Sequence, residues 1–72
     1  MEIIRQTDLS REGNDCYINE TVMVCKQFDL YFVLRVVKVV GWSDYSEVIV
    51  ESDLLKTEKE ANKIYKRYGG KL

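Results

Sequence analysis

The segment that most constrains the fold is residues 31–40, YFVLRVVKVV, in which eight apolar residues surround Arg35 and Lys38. Alternate side chains of a β-strand point to opposite faces of the sheet. If this segment is a regular strand, both of its faces are mostly apolar and each carries one charge. A small protein with such a strand must cover two faces of one sheet.

A β-bulge is the alternative interpretation of the same segment. A bulge near Val36 and Val37 would place both charges on the water-facing side. It would turn Phe32, Leu34, Val37 and Val39 towards one core. No glycine marks a bulge at this position.

Alternating patterns predict further strands on both sides of this segment. Residues 8–15, DLSREGND, are polar and contain a glycine, which predicts a loop. We expect tight turns around Asp29 and at residues 41–44, GWSD. The predicted strands cover residues 2–7, 21–27, 31–40 and 45–52.

The C-terminal part of the chain has the clearest helical signal. Thr57 and Glu60 have the spacing of a capping box, in which side chains at the helix start bond the free backbone N–H groups. The pair Gly69 and Gly70 favours termination. A helix is therefore predicted over about residues 58–68. Its apolar face consists of Ala61, Ile64, Tyr65 and Tyr68.

This order of elements predicts an α+β fold. We expect one domain over residues 1–72, with a small antiparallel meander of three or four strands and the C-terminal helix packed on one face. A helix of three turns covers one face of a sheet but not two. The second face of residues 31–40 is thus predicted to bind another copy of the chain, giving a homodimer, or another protein.

Composition argues against most site chemistries. The 72 residues include no histidine and only two cysteines, Cys16 and Cys25, which are too few for a zinc site. The first residues, MEIIRQTD, do not resemble a secretion leader. We therefore expect a cytoplasmic protein with reduced thiols, and no apolar run reaches the length of a membrane span.

Catalytic motifs are not recognisable either. The sequence has no glycine-rich phosphate loop, nucleophile elbow or metal-spaced acidic triad. Acidic groups around Asp44, Glu47 and Glu51 are more typical of a solvated strand that resists edge pairing than of an acid-base pair. We predict a protein that is not an enzyme and uses no cofactor or metal.

Charge is unevenly distributed along the chain, although the net charge is only -1. Residues 56–72 hold six Lys or Arg against two acidic residues, whereas residues 1–55 hold five against ten. A basic stripe on the predicted helix could contact nucleic acid, but such a stripe is also typical of a solvated helix end. The stripe consists of Lys59, Lys63, Lys66 and Arg67.

The turn and strand after residue 40 provide the candidate protein-contact residues. Tryptophan and tyrosine are frequent at interface hot spots, although a single tryptophan in a small domain more often closes its core. Carboxylates beside these aromatic groups would suit a basic protein surface. The candidate set is Trp42, Asp44, Tyr45, Glu47 and Glu51.

In its size, its acidity and its order of strands followed by a helix, the chain resembles small accessory proteins encoded by phages and other mobile elements. This group includes anti-CRISPR and other anti-defence inhibitors. The resemblance implies a stoichiometric inhibitor that binds and blocks a larger, nucleic-acid-processing enzyme, with acidic side chains that imitate nucleic acid. The leading hypothesis is therefore a non-catalytic protein-interaction module. The alternative is a small nucleic-acid-binding regulator that uses the basic helix stripe.

Overall fold

Five antiparallel strands and one helix form the fold in a computed structural model that describes residues 1–41 and 43–72. The strand order is β1-β3-β4-β5, and β2 also pairs with β3. The predicted α+β class is confirmed, but the sheet has five strands instead of the three or four expected. The elements are β1 (Glu2–Asp8), β2 (Arg11–Gly13), β3 (Cys16–Gln27), β4 (Leu30–Gly41), β5 (Tyr45–Val50) and α1 (Glu58–Arg67).

The additional strand, β2, lies in the segment that the sequence predicted to be a loop. It continues β1 along the same edge of β3, because Asp8 pairs with Thr21 and Arg11 with Ile18 in one unbroken register. Between them, Leu9 N donates to Glu20 O over 2.7 Å. The three residues of β2 are all exposed, so no hydrophobic pattern marked them as a strand. We call β1 and β2 together the first row.

The hairpin of β3 and β4 is the longest feature of the molecule. Twelve residue pairs join the strands, and β3 begins at Cys16 rather than near the predicted residue 21. The molecule measures 41 by 20 by 16 Å, with a radius of gyration of 13.1 Å against about 11 Å for a compact chain of this length. The hairpin therefore extends beyond the part of the sheet that the helix packs against.

A two-residue turn joins these strands. Phe28 and Asp29 both have positive φ, 52° and 63°, as a type I′ hairpin turn requires. Glycine and asparagine adopt this conformation most easily, and Phe28 is an uncommon residue in it. The reversal predicted around Asp29 is confirmed.

The bulge considered for β4 does not form. Pairing with β3 and with β5 runs without a register shift, so Arg35 and Lys38 lie on opposite faces of the sheet. The register shift lies instead in β1, between Ile3 and Arg5. Both faces of β4 are consequently mostly apolar, and the helix packs on only one of them.

Helix α1 packs against β3 and β4 on one side, which we call the covered face. Its capping box forms in part: Glu60 N donates to Thr57 Oγ1 over 3.3 Å, and Thr57 Oγ1 donates to the Glu60 carboxylate over 3.1 Å. The predicted apolar helix face contacts the sheet as expected. The fully buried core residues are Val22, Val24, Val33, Ala61 and Tyr65.

Contacts with β1 fix the helix at both of its ends. Arg5 donates to Asn62 Oδ1 over 2.7 Å and forms an ion pair with Glu58. The Tyr65 hydroxyl forms a hydrogen bond with the hydroxyl of Thr7 on β1, the strand at the edge of the sheet. These contacts position the helix over one half of the hairpin only.

Candidate protein-contact surface

The face of the sheet opposite the helix, which we call the open face, is lined by apolar side chains. Cross-strand pairing fixes its members, because directly paired residues lie on the same face. Among them, Ile3, Val48 and Val50 remain 48, 61 and 65% exposed, while Cys25 is fully buried within the layer. The apolar patch of the open face consists of Ile3, Met23, Cys25, Phe32, Leu34, Val36, Val48 and Val50, and the pair Tyr17 and Val40 lies separately at the far end of the same face.

The open face also has a polar band. Next to Val36, the same face carries Lys38 on β4, Asn19 on β3 and Ser46 on β5. Gln6 and Asp8 of β1 line this band together with Thr21. An apolar patch with a polar margin is the usual arrangement of a protein interface.

The whole open face has about the size of a protein interface. The first row, β3 and β4 are each about 40 Å long, β5 is half as long, and neighbouring strands lie about 4.8 Å apart, which gives a flat area of about 650 Å². A stable protein interface buries about 800 Å² of accessible surface on each partner, and accessible area exceeds the flat footprint. The whole chain exposes 5121 Å², compared with about 4,700 Å² for a typical folded monomer of this mass.

Three of the predicted contact residues, Asp44, Tyr45 and Glu47, lie at the start of β5, and two of them, Tyr45 and Glu47, contact each other. Asp44 Oδ1 accepts from Gly41 N over 3.1 Å, which closes the turn. The Tyr45 hydroxyl donates to the Glu47 carboxylate, and this hydrogen bond raises the pKa of Tyr45. All three side chains are exposed. Trp42 lies outside the described residues.

Glu51 does not belong to this exposed group. Its carboxylate accepts from Arg35 Nε over 2.8 Å, and its side chain is only 10% exposed. Glu51 therefore serves as a counter-ion for Arg35 at the edge of the core.

This ion pair is part of a larger charged network that the sequence did not reveal. Glu20 on β3 is buried and bonds Arg11 of β2 over 2.5 Å and Arg35 of β4 over 3.2 Å. The hydrogen bond from Arg11 is the main cause that lowers the pKa of Glu20, despite its burial. The network Arg11, Glu20, Arg35 and Glu51 crosses the sheet next to the core.

The network also divides the covered face. On one side lie the core and the helix, and the ring of Tyr68 packs 5.7 Å from the Arg35 guanidinium. On the other side Val37, Val39 and Ile49 remain partly exposed beyond the helix. In the sequence, Glu20 and Arg35 are each a charge next to apolar residues, and only the register between β3 and β4 shows that they pair.

The basic residues of the helix keep the arrangement that the sequence predicted. Lys59, Lys63, Lys66 and Arg67 are all exposed. Within the described part of the chain, none of them forms an ion pair shorter than 4.0 Å. The stripe is thus free to contact an anion.

The described residues offer few groups for metal binding or thiol chemistry. Residues 1–41 and 43–72 hold no cluster of three potential metal ligands, and they include no helix long and apolar enough to span a membrane. Cys16 and Cys25 are free thiols, and burial raises the pKa of Cys25. Comparison with family models, curated proteins and solved structures finds no match.

Proposed function

We propose that the chain is a non-catalytic protein-interaction module that acts as a homodimer in the cytoplasm and inhibits a larger enzyme. Two copies stack through the open face, and the exposed acidic group at the start of β5 binds a basic surface of the enzyme. The observation that carries the proposal is the open face itself, which bears an apolar patch beside polar residues and has about the total area of an interface. Free thiols at Cys16 and Cys25 suit a reducing compartment.

A second copy fits the open face for reasons of area and pattern. Two such faces would bury the exposed Val48 and Val50 and remove an apolar patch from water. A small domain gains most from such a contact, because its own core is limited to few residues. Two-fold symmetry lets one surface serve both partners.

The acidic group supports the choice of a basic partner. Asp44 and Glu47 lie at the end of the hairpin away from the helix, so a partner surface reaches them without contacting the basic stripe. Enzymes that process nucleic acid present basic surfaces, which carboxylates can occupy. A mobile-element inhibitor of the kind that the sequence resembles would block such an enzyme.

The homodimer is tested by measuring molecular mass in solution with light scattering. Val36→Asp introduces a charge at the centre of the open face, and Val39→Asp introduces the same charge on the opposite side of β4 as a matched control. We expect the unmodified protein and Val39→Asp to be dimers and Val36→Asp to be a folded monomer. A monomeric unmodified protein at high concentration, or a dimeric Val36→Asp, would refute the stacking.

The partner contact is tested by neutralising carboxylates without changing their shape. Asp44→Asn combined with Glu47→Gln should weaken binding to an enzyme captured with the protein by tenfold or more. Glu12→Gln, on exposed β2, is the control and should leave affinity unchanged. Equal affinity of the double variant and the unmodified protein would exclude this surface.

Nucleic-acid binding through the helix is the second candidate, because the four cations of the stripe stay exposed. Phosphate contacts make affinity fall steeply with salt. Binding of a single-stranded DNA oligonucleotide at low salt, lost in Lys63→Glu with Lys66→Glu, would support it. No binding at low salt would remove this candidate, which the net charge of -1 does not favour.

A further inference from the structure

We propose that the free edge of β5 accepts an extended, basic segment of the partner protein as an additional antiparallel strand. This inference rests on the proposed function and specifies how the partner is bound at the acidic group. Strand addition uses the backbone of the edge for affinity and the flanking side chains for specificity.

The two edges of the sheet differ in how well they resist such pairing. The first row contains a register shift between Ile3 and Arg5, and its backbone ladder is interrupted at Ser10, whose N–H donates to the Asp8 side chain although the register continues. Bulges and interruptions of this kind protect an edge from any added strand, whereas a charge such as Glu47 on β5 disfavours a strand that does not carry the opposite charge. By contrast, β5 pairs with β4 through six consecutive residues without a shift. Among the strands and the helix of the described residues, only β4 contacts β5, and no strand pairs with its outer edge.

The phase of the backbone hydrogen bonds shows which groups β5 presents. Glu51 N donates to Val33 O over 2.8 Å, in register with β5, so alternate residues before it also face β4. The hairpin turn at Phe28 and Asp29 gives the same phase, because the pair that flanks a two-residue turn is hydrogen-bonded. The N–H and C=O groups of Ser46, Val48 and Val50 therefore point outwards.

Side chains along this edge define the segment that fits it. On the open face, Val48 and Val50 offer apolar contact to the added strand. On the other face, Tyr45 and Glu47 are exposed, and Glu47 would lie opposite a residue of the added strand. The matching segment alternates apolar residues with basic ones.

Charge also favours a foreign strand over the β5 of a second copy. A two-fold axis normal to the sheet, with the outward groups in phase, gives registers centred on Glu47, Val48 or Ile49. These registers place Glu47 opposite itself, Ile49 or Glu51. None of them provides a cation, whereas a lysine in a partner strand does.

The test uses amide hydrogen exchange of the full chain with a synthetic probe. The probe is a ten-residue peptide of alternating valine and lysine, and the controls replace lysine by glutamate or N-methylate the valines. At millimolar peptide we expect exchange at Ser46, Val48 and Val50 to slow at least threefold, and neither control peptide should produce this effect. Val48→Pro removes one outward N–H and should abolish the protection, whereas Val48→Thr keeps it.

Three results would overturn the inference. These are no slowing with the valine–lysine peptide, equal slowing with the N-methylated peptide, and equal slowing with the glutamate peptide. The second result would mean that backbone pairing is not involved, and the third that the edge does not select a basic segment. Molecular mass measured on the same samples separates strand addition from the proposed function. If the protein is a dimer and the valine–lysine peptide does not slow exchange, strand addition is refuted and the proposed function is not.

Discussion

Arg35 Nη1 donates to Glu20 Oε2 over 3.2 Å and joins β4 to β3 where the core ends. Each partner has a second ion pair, Arg35 with Glu51 and Glu20 with Arg11. Because Glu20 is buried, removing its charge leaves Arg35 with one counter-ion in a partly dry environment. The network should therefore determine how stability depends on pH.

Glu20→Gln should lower the free energy of unfolding by about 1.5–3 kcal/mol at pH 7, the range for a hydrogen bond to a charged group. The folded pKa of Glu20 is depressed, so its contribution is full above the ordinary glutamate value and is lost as pH falls through the folded pKa. Urea titrations from pH 7 to 3 should show a smaller loss for the variant than for the unmodified protein. Parallel pH profiles would contradict this, and the exposed Glu12→Gln serves as the control.

Tyr65→Phe should destabilise the fold by about 0.5–1.5 kcal/mol, the net value of a typical hydrogen bond. The ring stays in the core, but its hydroxyl no longer bonds Thr7 or the Lys71 carbonyl. Thermal or urea unfolding measures the difference. Tyr17→Phe, at a 44% exposed position, should be neutral, and an equal effect there would show that the buried hydroxyl has no special role.

Replacing Phe28 by Asn together with Asp29 by Gly should stabilise the protein by about 1–2 kcal/mol. Both positions have positive φ, which glycine and asparagine adopt at lower cost. Phe28→Ala, which keeps the backbone cost, should give no gain, since the Phe28 side chain is 88% exposed and buries little. A gain from alanine equal to that of the double variant would indicate that backbone strain is not the cause.

The apparent melting temperature should rise with protein concentration, because a dimer is stabilised by mass action. Differential scanning calorimetry between micromolar and millimolar protein would detect the shift. In Val36→Asp the melting temperature should be independent of concentration. A concentration-independent unmodified protein would argue against the dimer.

Local signals in the sequence predicted the helix and much of the sheet, whereas features that depend on register were missed. The capping box at Thr57 and Glu60 lies within one turn and is visible without tertiary information. Strand β2 is exposed and polar, so only its ladder with β3 defines it. Glu51 shares the strand pattern of Glu47, and its burial follows from pairing with Arg35, which no spacing within one strand reveals.

The hairpin also has a consequence for how the chain folds. Pairs next to the turn, such as Gln27 with Leu30, join residues close in sequence, so their loop-closure cost is small and β3 and β4 can zip from that point. The contacts of Arg5 and Thr7 with the helix instead join residues 53 to 58 positions apart. We therefore expect folding to begin in the hairpin and to be completed when the helix docks. The turn substitution should then accelerate folding, while Tyr65→Phe should mainly accelerate unfolding.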